Sequence, residues 1–214
     1  MKRIWILAVL LLFSGAAFSQ SWLGVGLTGG YDYNFNKYYN YNGWTDDENV
    51  KMDFNTGLDI IMRMSKKVRF RIELRYEQLN YGQNSGSASF EISNSEMKLH
   101  CIDVNPRFDI RVWNKQKWEL FVSPGLRLQY AVNPDETSYY KSTGEISKHH
   151  TYINTDYNDA LPGFLAGAIL KYNINKQLGI KFSPDFYYSF KKLYDEGHNN
   201  MMGIRSNIGI EYFF

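Results

Sequence analysis

Polar and apolar residues alternate with a period of two along most of the chain, the pattern of strands whose two faces lie in different environments. From Val68 to Glu77 the even positions are Val68, Phe70, Ile72, Leu74 and Tyr76, and the odd ones are Arg69, Arg71, Glu73, Arg75 and Glu77. One face is apolar throughout and the other charged throughout. Seven more segments follow the rule. Their apolar faces are Leu23 to Tyr33; Leu58, Ile60, Met62 and Met64, with Ile61 as an exception; Ile102 to Val112; Trp118 to Tyr130; Phe164 to Tyr172; Leu178 to Phe190; and Ile204 to Phe214. Eight strands are predicted.

The connections between them alternate in length. Short turns fall near 65–67, 114–116 and 173–176, while roughly 35–53, 80–97, 132–159 and 191–201 are longer and rich in Tyr, Asn, Ser, Asp and Gly. Short turns at one end and long loops at the other, with both termini at the short-turn end, predict an all-β fold. It is an eight-stranded antiparallel up-and-down transmembrane β-barrel.

A soluble barrel also alternates, but it turns its apolar face inward around a ligand. Here more than thirty large apolar side chains would have to fit inside a narrow barrel. With the apolar face toward lipid, the lumen instead receives Arg63, Arg71, Arg75, Arg107, Arg111, Arg127, Lys171, Lys181 and Arg205 against Asp59, Glu73, Glu77, Asp103, Asp109, Glu119, Asp185 and Glu211. Nearly equal numbers of each sign can pair, and an unpaired buried charge costs several kcal/mol. A lumen packed with ion pairs is therefore expected. Two aromatic belts follow from this orientation: Tyr31, Tyr33, Phe54, Tyr76, Tyr130, Phe164, Tyr188 and Phe190 at the outer rim, and Trp118, Tyr172, Tyr212 and Phe214 at the periplasmic rim. Pro106, Pro124 and Pro184 each remove a ladder donor, so bulges are expected there.

Composition sharpens the picture. One Cys among 214 residues excludes an internal disulfide, and 17% aromatic residues exclude a disordered chain. Residues 1–19, with Lys2-Arg3, an apolar run from Ile4 to Phe13 and small residues at Ala17 and Ser19, form a secretory signal peptide; the apolar run is short for a membrane anchor. The remaining chain, 20–214, is one barrel domain with 22 basic and 22 acidic residues, which gives nucleic acid no electrostatic handle. The only Cys, Cys101, lies far from the cleavage point, so no lipid anchor is expected.

The signal peptide, the eight segments and the ending from Asn207 to Phe214 resemble the small outer-membrane β-barrel proteins of the PorT-like and OmpA/OmpX-like type. In that class the last strand ends in a pattern read by the barrel-assembly machinery, and Asn207, Gly209, Tyr212 and Phe214 occupy its positions. The resemblance covers essentially all of 20–214 and leaves no room for the peptidoglycan-binding domain of full-length OmpA-type proteins. It implies an integral protein of the Gram-negative outer membrane in contact with lipid and lipopolysaccharide. The PorT-like likeness adds a suggestion of secretion or surface assembly.

Catalytic and metal-binding candidates are sparse. Adjacent His149 and His150 point to opposite sides of an extended segment, so metal binding is not expected. Asp46-Asp47-Glu48 could bridge a divalent cation to lipopolysaccharide phosphates, but a solvated acidic loop is the simpler reading. A lipid-modifying hydrolase would need Ser, His and a carboxylate together at the lipid-facing outer rim. No His is expected at such a position, and Ser206 is placed nearer the periplasmic half. Cys101 is read as a small residue near the upper end of strand four. The expected role is structural or interactive, through a protein partner at the extracellular loops, with no cofactor and no catalysis. A narrow solute pore is the alternative and a lipid A-modifying enzyme the second.

Overall fold

A computed structural model of the chain describes residues 22–35, 52–84, 92–142, 145–152, 160–192 and 200–214. The expected signal peptide, Asp46-Asp47-Glu48 and His198 lie outside these residues. Among them are nine strands and no helix: β1 (Leu23–Asn34), β2 (Met52–Arg63), β3 (Val68–Asn84), β4 (Ile92–Lys115), β5 (Trp118–Ser142), β6 (Glu145–Tyr152), β7 (Ala160–Asn173), β8 (Leu178–Lys192) and β9 (Asn200–Phe213).

Eight of the nine close into an antiparallel barrel. The order runs β4-β3-β2-β1-β9-β8-β7-β5, and pairing of β4 with β5 completes the ring. The first and last strands meet, with Leu27 opposite Ile210 and Gly24 opposite Phe213. Closure gives every strand in the wall a partner on both sides, as a hydrocarbon environment demands. The ninth strand, β6, pairs with the far part of β5.

That far part corrects the expected loops 80–97 and 132–159. β3 and β4 stay paired as far as Asn84 and Asn94, and β4 and β5 as far as Ile92 and Tyr140. β4 has 24 residues and β5 has 25, whereas about 10 suffice to span a bilayer. The reason for the difference is physical. Where both faces of a sheet meet water, the alternation that reveals a strand inside a membrane is not enforced.

The three tight turns lie close to their expected places. Ser65 Oγ accepts bonds from the amides of Lys67 and Val68, and Asn175 Oδ1 accepts from those of Gln177 and Leu178. These short side chains substitute for a backbone turn bond. Between β4 and β5 two residues suffice, and Gln116 takes a φ of 54°.

The expected bulges at the prolines do not occur. Register runs unbroken through Pro106 opposite Ile72, Pro124 opposite Ala166 and Pro184 opposite Ser206. In an antiparallel ladder each residue bonds toward one neighbour, so a proline forfeits pairing on one side and keeps the other. Accordingly, ladder partners are missing between Val104 and Arg107 on the β5 side of Pro106. Register shifts occur elsewhere, between Lys98 and His100, between Arg111 and Trp113, and between Tyr188 and Lys192.

Candidate functional site in the barrel interior

The outer wall is apolar and exposed: Leu27, Leu58, Leu126 and Ile208 are each more than half exposed. The residues of both expected belts lie on this outward face, and neighbours pair in register, Tyr31 with Phe54, Phe164 with Tyr188 and Trp118 with Tyr172. Such a surface has no stable place in water.

Inward-facing positions carry the charge. Eight buried cations stand against nine buried carboxylates among the described residues, a near balance that suits a network rather than a filter of one sign. They form three tiers along the axis. Nearest the turns, Arg71 donates to Asp59 at 2.8 Å, to Asp109 at 2.8 Å and to Glu211 at 2.7 Å, joining β3 to β2, β4 and β9. Arg69 reaches the same Asp109 and Glu211, Lys171 lies 3.0 Å from Glu211, and Lys181 contacts Asp59.

In the middle tier Arg107 spans the lumen from β4, donating to Asp185 on β8 at 2.6 Å and to Glu73 on β3 at 3.1 Å. Arg75 bonds Glu73 and also reaches the Thr28 hydroxyl on β1. In the upper tier Arg127 binds Glu77 at 2.6 Å and Asp103 at 2.8 Å, while Arg205 binds Asp32 at 2.9 Å and contacts Glu77 and Asp103. Charge-assisted bonds of this length are the strong class, and guanidinium forks let one arginine serve several strands.

Three residues of the expected lumen set sit apart from this core. Arg111 and Glu119 pair at 2.6 Å at the half-buried turn-end mouth. Arg63 lies over the Phe213 ring at 3.9 Å. Conversely, Asp32, Asp53 and Arg69 are buried with the network although the expected set omits them. Parity would have found Asp32 and Arg69, since both share the inward phase of their strands; Asp53 falls in what reads as a loop.

The interior also holds apolar residues that alternation in bulk hydrophobicity hides. Ile61, Phe121, Leu165, Ile169, Tyr187 and Phe213 are buried at inward positions. Ile61, the exception in its strand, is thus an apolar residue on the inward face. Phe121 lies 3.8 Å beneath the Arg69 guanidinium and Tyr187 4.0 Å from that of Arg127, so rings and cations stack inside the barrel. Cys101 is buried on the same inner face.

At the end of β9, Asn207 is buried in the lumen, while Tyr212 and Phe214 face outward with ring centroids 5.4 Å apart. A Cβ on Gly209 would stand 2.6 Å from the Leu27 carbonyl oxygen, so the close approach of β1 to β9 requires glycine there.

Two expectations about the outer rim need correction. His100 does occupy a lipid-facing phase: it follows the parity of Ile102, stacks on Tyr76 and has its Nδ1 2.6 Å from the Tyr76 hydroxyl. Ser206 pairs with Tyr31, so it lies level with the outer belt rather than in the periplasmic half. The two strands that carry His100 and Ser206 are four spacings apart around the wall, roughly 19 Å, too far for a nucleophile and its base. Among the described residues no group of three or more His, Cys, Asp and Glu side chains is placed to hold a metal, and the side chains of His149 and His150 lie outside them.

A closed antiparallel barrel with a lipophilic wall and a charged interior defines an integral membrane β-barrel protein. A family model for the outer membrane protein beta-barrel domain matches residues 18–195. The chain belongs to that family and is an integral protein of the outer membrane. Three solved structures share the fold at a TM-score of 0.50. Neisserial surface protein A is 12% identical, with 90% of this chain and 97% of that one covered. OprG of Pseudomonas aeruginosa is 10% identical, covering 89% and 95%. A major outer membrane protein of Thermus thermophilus is 9% identical, covering 90% and 99%. No curated protein sequence matches.

Proposed function

We propose that the protein is a non-enzymatic display barrel of the outer membrane, its lumen closed to solutes by the ion-pair network and its long connections available to a protein partner outside the cell. Both termini and the tight turns face the periplasm, and the outward face contacts lipid and lipopolysaccharide. The observation that carries this reading is Arg107. It is fully buried and joined across the lumen to Glu73 and Asp185 in the middle tier, where a permeating ion would have to displace it. Breaking such a pair leaves a buried charge uncompensated, which is costly. Single-channel recording in planar bilayers tests this: purified protein is expected to give no stable conductance steps, and reproducible steps would refute the closed lumen in favour of a narrow pore.

A hydrolytic role has little support from the outer rim. The His100 ring nitrogen that meets the Tyr76 hydroxyl has no serine–carboxylate pair beside it among the described side chains, and Ser206 is across the wall.

A further inference from the structure

The turn end of the barrel opens into a cavity of about 830 Å³. Each of the three tight turns contributes one lysine to its lining: Lys66, Lys117 and Lys176. Deeper in, Arg63, Arg69 and Arg111 add three guanidinium groups. The single carboxylate among the lining residues, Glu119, is already bonded to Arg111 at 2.6 Å. Arg69 is 5% exposed, and its Nε has no hydrogen-bond partner among the described residues. Arg69 over Phe121 and Arg63 over Phe213 lie where the cavity meets the packed interior.

We propose that this vestibule is a docking site for an acidic segment of a periplasmic protein. The excess of positive charge selects a polyanion, and guanidinium groups match carboxylates in fork geometry. Trp22, Met64 and Ile174 in the same lining offer apolar contact to the body of an extended peptide, which a bare anion would not use. The volume lies within the range of sites that enclose a ligand. Lipid headgroups are poor candidates, because Arg63, Arg69, Arg111 and Glu119 hold inward-phase positions and the wall separates them from the bilayer. The first buried tier already carries four cations, Arg69, Arg71, Lys171 and Lys181, against Asp59, Asp109 and Glu211, so the positive field extends outward from the lumen. The inference rests on the sidedness proposed for the barrel, which protease sites placed in the chain measure independently.

The test uses the whole barrel in zwitterionic nanodiscs, where both mouths are open, and fluorescein-labelled octaglutamate and octaglutamine as probes read by anisotropy. Octaglutamate is expected to bind, more weakly as salt is raised, and octaglutamine is not. The variant K66E/K117E/K176E changes only exposed turn side chains and is expected to lose at least about tenfold in affinity. K67E, on the same turn but outside the lining, is expected to bind as the parent does; heat-modifiable mobility confirms that each variant is a folded barrel. Absence of octaglutamate binding, equal binding of octaglutamine, or unchanged affinity in the triple variant overturns the proposal. Displacement by inorganic pyrophosphate as efficient as by unlabelled octaglutamate also overturns it, in favour of a simple anion site. Binding by a barrel whose turns prove to face outside overturns the periplasmic address of the partner alone.

Discussion

Arg71 and Glu211 meet inside the barrel at 2.7 Å although 140 residues separate them in the chain. Arg71 simultaneously holds Asp59 and Asp109, so three carboxylates share one guanidinium in a site without solvent exposure. Replacing it by Met should cost about 3–5 kcal/mol, because three buried carboxylates each lose a bond that Arg69, Lys171 and Lys181 make good only in part. R111M at the half-exposed mouth should cost no more than about 1 kcal/mol. Urea unfolding in phospholipid vesicles, followed by tryptophan fluorescence, compares the two; equal costs would show that the buried network contributes nothing special.

Gly167 offers a test of strand approach. A Cβ there would collide with Asp185 Oδ1 and with the backbone oxygen of Pro184. G167A should therefore destabilise by about 1–3 kcal/mol. At Gly29 the corresponding neighbour is 3.7 Å away, and G29A should stay within about 0.5 kcal/mol of the parent by the same unfolding assay.

Much of this architecture was legible in the chain because the membrane enforces a period of two. Val68 to Glu77 reads correctly residue by residue, since lipid punishes a charge on one face and the lumen accepts it on the other. The same logic explains what was hidden. Beyond Leu79 and Val132 the alternation is not kept in the chain, so the paired extension of β3, β4, β5 and β6 looks like loop. Phe121 and Phe213 escaped because hydrophobicity alone does not mark an inward residue; their phase does. The prolines misled because the ladder loses only one side at each. Which arginine meets which carboxylate was never legible, since pairs such as Arg205 and Asp32 depend on closure of the ring.

Deleting Phe214 should lower the amount of folded barrel in the outer membrane if Asn207, Gly209, Tyr212 and Phe214 are read by the assembly machinery. The measure is the heat-modifiable fraction in isolated membranes. A normal fraction would remove Phe214 from that role.

Sidedness is measured by protease sites placed in the chain. A site inserted between Ser142 and Glu145 should be cut on intact cells, and one at Gln116–Lys117 should be protected until the envelope is opened. The reverse pattern would invert the proposed orientation.

Lipid A from cells lacking the protein, and from cells carrying H100A, should give mass spectra matching the parent. A missing acyl chain or headgroup change dependent on His100 would instead make the barrel an enzyme.

The last strand supplies Arg205 to Asp32, Glu77 and Asp103, and Glu211 to Arg69, Arg71 and Lys171. Until β9 arrives, the Arg69–Arg71–Lys171 cluster at one end of the lumen lacks a carboxylate, and the Asp32–Glu77–Asp103 cluster at the other lacks an arginine. A partly inserted sheet of the first eight strands is thus penalised twice, by its open edges and by its unmatched interior. Closing the wall and balancing these two charge clusters are a single cooperative step, made by β9.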